Sequence, residues 1–359
     1  MGKSRGQNRG CTGGKTIRKI GLLILAAFVC VCIAAELTGG GWTPVWQGSG
    51  EGQAVEVTAD GNYIKWVELH VTCEALAAAY DLDVETYTDE IHVDWIELLA
   101  YEGAKTGGQF DRNSARKIQE TAEKIKNGET TMEKLTKDMK YYDYYLEAYS
   151  AVLDGMVGEF TLDHKRVYGL KAFSPIAKGF DYSHYDDFGS SRSYGYARPH
   201  LGHDMMGQIG TPIIAIESGY VEALGWNQYG GWRIGIRSFD GKRYYYYAHL
   251  RQNYPYAEGL EEGSVVTAGD VIGYMGHTGY STTENVNNIK TVHLHWGLQL
   301  IFDESQKEGN NEIWVDCYEL TKFLYRNRCE VEKVGDTKEW RRVVPMTDPA
   351  VEAFEKINY

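Results

Sequence analysis

Two short strings in this chain carry residues whose types and spacing suit metal chemistry. His200-Leu-Gly-His-Asp204 offers an imidazole and a carboxylate four residues apart, and His293-Leu-His295 offers two imidazoles two apart. Along an extended strand side chains alternate faces, so positions two or four apart point the same way. Each string therefore sets two donors on one face. Two histidines and a carboxylate, with one position left for water, form the ligand set of a catalytic zinc site rather than the closed, cysteine-rich set of a structural one. Of the 10 histidines, those at 200, 203, 249, 277, 293 and 295 crowd into one stretch. His200, Asp204 and His295 are expected to hold one Zn2+. His293 shares a strand face with His295 and is the expected proton acceptor from an attacking water. His249 ends the strand that begins at Tyr244, and is expected to steady a developing oxyanion or to orient the water. His203 falls on the opposite strand face from His200 and is excluded. His277, in the Gly276-His-Thr-Gly279 loop, is expected to face solvent. His70, His92, His164 and His184 read as structural or surface residues.

These donors need a rigid β scaffold. From about 166 to 325 glycine is frequent and β-branched and aromatic residues dominate. Ile213 to Ile216, Arg233 to Ile236 and Lys242 to His249 read as strands. Phe239-Asp-Gly-Lys242 is a hairpin turn, because Asp-Gly accepts positive φ. The spacing predicts a mainly antiparallel β domain over 166–325. Residues 62–165 read as a small helical domain. Asp94 with Glu97 and Thr130 with Glu133 have capping-box spacing. Asn113 is a candidate cap for a helix ending near Gly128. Tyr145, Leu146, Tyr149, Val152 and Leu153 recur at helical spacing and read as core. Glu102 sits at a helix end where a catalytic acid is conceivable, but a solvated carboxylate is the expected role. Residues 37–61 read as a linker, and 326–359 as a charged, peripheral tail. The fold class expected is α+β multidomain.

The net charge is −13, yet Lys3, Arg5, Arg9, Lys15, Arg18 and Lys19 precede Ile20 with no acid among them. Residues 1–19 thus form a basic leader. The rest is acidic enough to exclude nucleic acid as a partner, since phosphates demand a basic surface. Residues 20–36 begin with a run free of charge as far as Ala35. Basic flanks fix the cytoplasmic side of such a run, so it is expected to be a single membrane anchor, with a cleaved signal peptide as the close alternative. Either one places the remainder outside the cytoplasm. Of the six cysteines, Cys11, Cys30 and Cys32 precede residue 37. Cys317 and Cys329 are a candidate bridge, although buried free thiols are the preferred expectation.

Residues 198–300 resemble the lysostaphin/LytM-type zinc metallopeptidases, which cut peptide cross-bridges or stems of bacterial peptidoglycan. The matching strings are His200-Leu-Gly-His-Asp204, Gly210-Thr-Pro-Ile-Ile-Ala215, Gly219-Tyr-Val221, Tyr247-Ala-His-Leu250, Gly269-Asp-Val-Ile-Gly273, Gly276-His-Thr-Gly279 and His293-Leu-His295. The resemblance implies a compact two-sheet β domain with a groove over the metal, ligands at His200, Asp204 and His295, and catalytic histidines at His249 and His293. Two departures stand out. Tyr280 to Val292 is longer than the family's usual link, and could narrow or lid the groove. Trp296 follows the last ligand where Phe is usual. Trp226, Tyr229 and Trp232 are candidates for the groove wall. The expected function is a membrane-anchored, extracytoplasmic zinc endopeptidase of peptidoglycan, with the helical domain spacing it or meeting an envelope protein. The alternative is an anchored LytM-like scaffold that hydrolyses little or nothing.

Overall fold

The computed structural model describes residues 67–193, 197–307 and 312–358. The leader 1–19, the apolar run 20–36 and the linker 37–61 lie outside them. Among the described residues no helix is long and apolar enough to cross a membrane.

The helical region starts where polar side chains cap free backbone N–H groups. Thr72 caps α1 (Cys73–Thr86), and Asp94 caps α2 (Trp95–Thr106) by accepting from the Glu97 N–H at 2.9 Å. α3 (Ser114–Lys126) follows Asn113, whose side chain makes no cap bond. α4 (Met132–Thr136) is capped by Thr131, one residue past the expected Thr130. α5 (Tyr142–Leu153) turns Tyr145, Tyr149, Val152 and Leu153 into the core, as their spacing requires. Glu102 departs from expectation. It is only 1% exposed, with its carboxylate 3.4 Å from Lys105 Nζ and 3.3 Å from Lys117 Nζ. It is a buried ion-pair partner within the bundle, neither solvated nor set in a cleft.

Strands begin before residue 165. The hairpin β1 (Val157–Leu162) and β2 (Lys165–Leu170) is followed by the short β3 (Ser183–His184), β4 (Ser191–Ser193) and β5 (Ala197–Pro199). Then come β6 (His203–Met206), β7 (Pro212–Ile214), β8 (Gly219–Asn227), β9 (Gly231–Ser238), β10 (Arg243–Ala248), β11 (Val265–Val266), β12 (Val271–Tyr274), β13 (His293–Leu300) and β14 (Ile313–Val315). One antiparallel sheet runs β11-β8-β9-β10-β13-β6-β3, with β14 beside β13, and β7 pairs with β12 in a small second sheet. The expected Asp240-Gly241 turn joins β9 to β10, with Gly241 at φ 75°.

The helices do not stand apart from this sheet. α6 (Tyr318–Leu324) carries Phe323 against Tyr80 and Trp95, and Glu319 accepts from the Cys73 N–H at 2.6 Å. Arg243, at the start of β10, is buried. It donates to both Glu217 oxygens, at 2.8 and 3.0 Å, and to the Ala151 carbonyl of α5 at 3.2 Å. Tyr245 donates to the same carboxylate at 2.7 Å.

The segment from 326 onward is not peripheral, which corrects the sequence reading. β15 (Val331–Lys333) pairs with β16 (Trp340–Arg342), and β17 (Met346–Thr347) adds to β1. Glu339 is buried and accepts from Tyr274 at 3.0 Å. Asp348 binds Lys171 at 2.9 Å and Ser218 at 2.8 Å. Charges that look solvated in the sequence are paired inside the fold. α7 (Pro349–Asn358) closes the described chain and lays Phe354 against Tyr220 and Phe239. Cys73, Cys317 and Cys329 are unpaired thiols, so no Cys317–Cys329 bridge exists.

Removing one partner of the Arg243–Glu217 pair strands a buried charge. Glu217→Ala is expected to lower unfolding free energy by about 3–5 kcal/mol, read as a shifted midpoint in urea denaturation.

Candidate metal centre and active site

The sheet register builds most of the site. On β13, His295 lies opposite Asp204 of β6 and opposite Ala248 of β10. Directly opposed residues share a face, so Asp204 and His295 meet and His293 joins them two residues earlier. His200 arrives differently from the expectation. β6 begins only at His203, so His200 and Asp204 do not lie on one continuous strand. His200 sits just past β5, its N–H donating to the Ser190 carbonyl at 2.9 Å, and the chain bends at Gly202. A Cβ on Gly202 would lie 2.5 Å from His295 Nε2 and 2.9 Å from the Trp296 carbonyl oxygen, so only glycine lets the chain pass there.

Three donor atoms converge. His200 Nε2 lies 3.1 Å from both Asp204 Oδ1 and His295 Nδ1, and His295 Nδ1 lies 2.8 Å from the same Oδ1. Two zinc ligands at ordinary tetrahedral distances sit about 3.3 Å apart, so the trio is near the required spacing without rearrangement. His200 and Asp204 are buried and His295 is half-buried. Two imidazole nitrogens and one carboxylate oxygen fit Zn2+ in chemistry as well as in geometry. Burial alone would push the Asp204 carboxyl up, but the hydrogen bonds from His200 and His295 overrule it and hold it well below the usual carboxylate range.

His249 and His293 stand beside the trio, their ring centroids 4.7 Å apart. His249 is a non-glycine residue at φ 62°. Such left-handed backbone costs on the order of 1 kcal/mol or more and tends to mark functional sites. The turn aims the ring into the groove while Nδ1 lies 3.0 Å from the Thr278 carbonyl oxygen. His293 Nδ1 likewise lies 2.9 Å from the Thr291 carbonyl oxygen. A carbonyl only accepts, so in both rings Nδ1 carries the proton and Nε2 is left as an acceptor. Burial pushes the pKa of both down, well below the ordinary value for His249, so both rings are neutral at physiological pH.

Two further residues went unread in the sequence. Arg192 Nη1 holds the outer oxygen of Asp204 at 2.8 Å, and its other amino group pairs with Asp187. Asp187 Oδ1 in turn lies 3.2 Å from His200 Nδ1. Arg192 and Asp187 thus lie behind Asp204 and His200, where such outer partners can fix the orientation of metal-binding side chains. Neither residue belongs to a motif, because the ribbon β4–β5 that presents Arg192 has no strong sequence pattern.

The remaining histidines and aromatics separate cleanly. His203 faces away, as expected, with Nε2 2.8 Å from His184 Nδ1. His277 is not solvent-facing. It is half-buried, with Nδ1 2.6 Å from the Ile289 carbonyl oxygen, and so anchors the 280–292 segment. Trp226 and Trp232 do the same through Nε1 donors to the Ser281 carbonyl and Asn285 Oδ1, at 3.2 and 2.9 Å, whereas Tyr229 lines the groove. Trp296 is fully buried, donating to Thr321 Oγ1 at 3.2 Å. The groove over the donors has a volume of about 220 Å3, and Tyr229, Tyr246, Tyr280 and Ile289 give it an apolar lining.

With this geometry in place, residues 198–308 match the sequence model of Peptidase family M23. Over that stretch the chain is similar to the M23 peptidases. It is 38% identical over 130 residues to the L-Ala--D-Glu endopeptidase of Bacillus subtilis, covering 36% of this chain and 38% of that protein. It is 39% identical over 89 residues to lysostaphin of Staphylococcus simulans, covering 24% of this chain and 17% of that protein. The chain thus spans well under half the length of the curated relatives it matches. Among solved structures, a lytM-type protein of Ruminococcus gnavus matches at 24% identity and a TM-score of 0.49, covering 74% of this chain and 91% of that one.

Two outcomes follow. Asp187→Ala is expected to weaken zinc binding roughly 10- to 100-fold, measured by competition with a chromogenic chelator. Separately, burial first and then His184 push His203 down to about 3 from 6.5, so the native ring stays neutral while the unfolded chain gains a proton. Stability should fall as pH drops from about 6.5 towards 3, by up to roughly 1.4 kcal/mol per pH unit. The slope in urea titrations should be shallower for His203→Gln.

Proposed function

We propose that the chain is a zinc-dependent endopeptidase that hydrolyses peptide bonds of bacterial peptidoglycan. The observation that carries this reading is the convergence of His200, Asp204 and His295 beside two neutral, backbone-anchored histidines in an open groove. The printed activities of the relatives point the same way. One acts at an L-Ala–D-Glu bond and another is named a glycyl-glycine endopeptidase, and both bonds are amides.

Zinc held by those three residues would supply Lewis acidity and a nucleophile at neutral pH. The chain's own residues do the rest. His293 Nε2, 3.8 Å from Asp204 Oδ2, is the proton acceptor in this reading. Once protonated it is steadied by that carboxylate and can return the proton to the departing amine. His249 holds the neighbouring position, where Nε2, left free by the Nδ1–H bond to Thr278, accepts from the water and orients it. The apolar aromatic walls exclude competing water and strengthen each polar contact. The basic leader and the run 20–36 support export and anchoring at the membrane, with the catalytic domain extracytoplasmic. The exposed face of the helical region would then be free to meet an envelope protein.

Digestion of purified sacculi tests the reading. Release of fragments should be blocked by a zinc chelator and should fall roughly 10²- to 10⁴-fold in His293→Ala, with fragment masses naming the bond. Failure of the zinc-loaded protein to release fragments from any of several wall types would count for the scaffold alternative.

A further inference from the structure

The segment from Tyr280 to Val292 is a fixed wall of the groove, not a lid. Asn285, at φ 60°, accepts through Oδ1 from Trp232 Nε1 at 2.9 Å and from the Asn253 N–H at 2.8 Å. Its carbonyl accepts from Gln252 Nε2 at 2.6 Å. The Ser281 N–H donates to the Gln228 carbonyl at 2.9 Å, and the Ile289 N–H donates to the His277 carbonyl at 3.3 Å. A stretch tied at both ends and in the middle keeps its side chains in place when a ligand arrives.

One of those side chains is a cation. Lys290 lines a cavity of about 730 Å3 together with Asp187, Arg192, Asp204, Tyr280 and His293. Both acids of that cavity already pair with Arg192. Asp204 is held by His200, His295 and Arg192, and Asp187 pairs through Oδ2 with Arg192. Lys290 is exposed, and no acid among the described residues pairs with it. The wall of the groove therefore presents an exposed ammonium with no ion-pair partner among the described residues. Lys290 lies three residues from His293, so their Cα atoms are at most about 11 Å apart. A residue adjoining a bond held at His293 and Asp204 falls within reach of a lysine side chain.

We propose that Lys290 is a specificity residue that binds a carboxylate on the substrate residue beside the scissile bond. The inference rests on the peptidase reading above and deepens it. The favoured substrate is an acidic peptide with a free carboxylate at that residue, rather than a glycine bridge that offers none. The ammonium adds little to the chemical step, because it meets a substrate group away from the reacting carbonyl. Its contribution is to binding, through an exposed ion pair screened by salt.

The test uses the zinc-loaded full-length protein and three soluble substrates. These are a stem peptide with a free carboxylate after the scissile bond, the same peptide with that group as a carboxamide, and pentaglycine. The carboxylate peptide should show a KM roughly two- to fivefold below the carboxamide, with similar kcat. That gap should shrink as salt rises, vanish in Lys290→Gln and invert in Lys290→Glu. Cleavage with no carboxylate preference, cleavage of pentaglycine alone, or an unchanged preference in Lys290→Gln would each overturn the inference and leave the peptidase reading intact. Cleavage of none of the three would overturn both.

Discussion

The register of β13 between β6 and β10 is the constraint on which the site depends. A strand has a period of two, so a slip by one residue would send His293 and His295 into the core and turn Leu294 and Trp296 towards the groove. That slip is opposed from the buried side. Leu294, Trp296 and Leu298 are fully buried, and Trp296 is further tied to Thr321 of α6. The hydrophobic face and the metal face are thus one decision. Apolar burial, at about 25 cal/mol per Å2, holds a set of polar donors that would repel and hydrate if free. At the far end of the same sheet the Arg243–Glu217–Tyr245 cluster pins β10 to α5, so the helical bundle braces the strand that delivers His249.

That coupling bears on what the helical region contributes. Tyr80, Trp95 and Phe323 pack across the boundary, and Tyr168 of β2 donates to Asp83 of α1 at 2.6 Å. The bundle and the sheet share a continuous apolar core. A spacer on a flexible tether would share none, so the helices pack as a back-plate on the β domain. Their outer face travels with the groove.

Part of the donor geometry was legible in the sequence because strand alternation leaves a regular trace: the spacing of His293-Leu-His295 puts both rings on one face of a single strand. His200-Leu-Gly-His-Asp204 named two residues that do converge, but for an incomplete reason, since a bend at Gly202 brings His200 in where strand periodicity does not. Arg192 and Asp187 left no trace, because their contacts with Asp204 and His200 are made by chains crossing in space. The capping residues Asp94 and Thr131 show how far local chemistry carries. It locates a helix start to within a residue and says nothing about what the helix packs against. The segment after 326 was misread for the converse reason. Glu339 and Asp348 look like solvated charges until Tyr274, Lys171 and Ser218 are seen to bind them. Glu102 misled in the same way.

The unpaired thiols have a consequence of their own. Cys317 is fully buried and Cys329 nearly so, and burial pushes both thiols up, Cys317 well above the ordinary value. The thiolate is the form that attacks disulfides and oxidants, so these two sulfurs are chemically quiet while the fold is intact. Cohesion among the described residues comes from burial, register and ion pairs, with no cross-link to reduce. The domain can therefore hold the same shape on either side of a redox boundary, and a change in redox poise gives no handle on its groove.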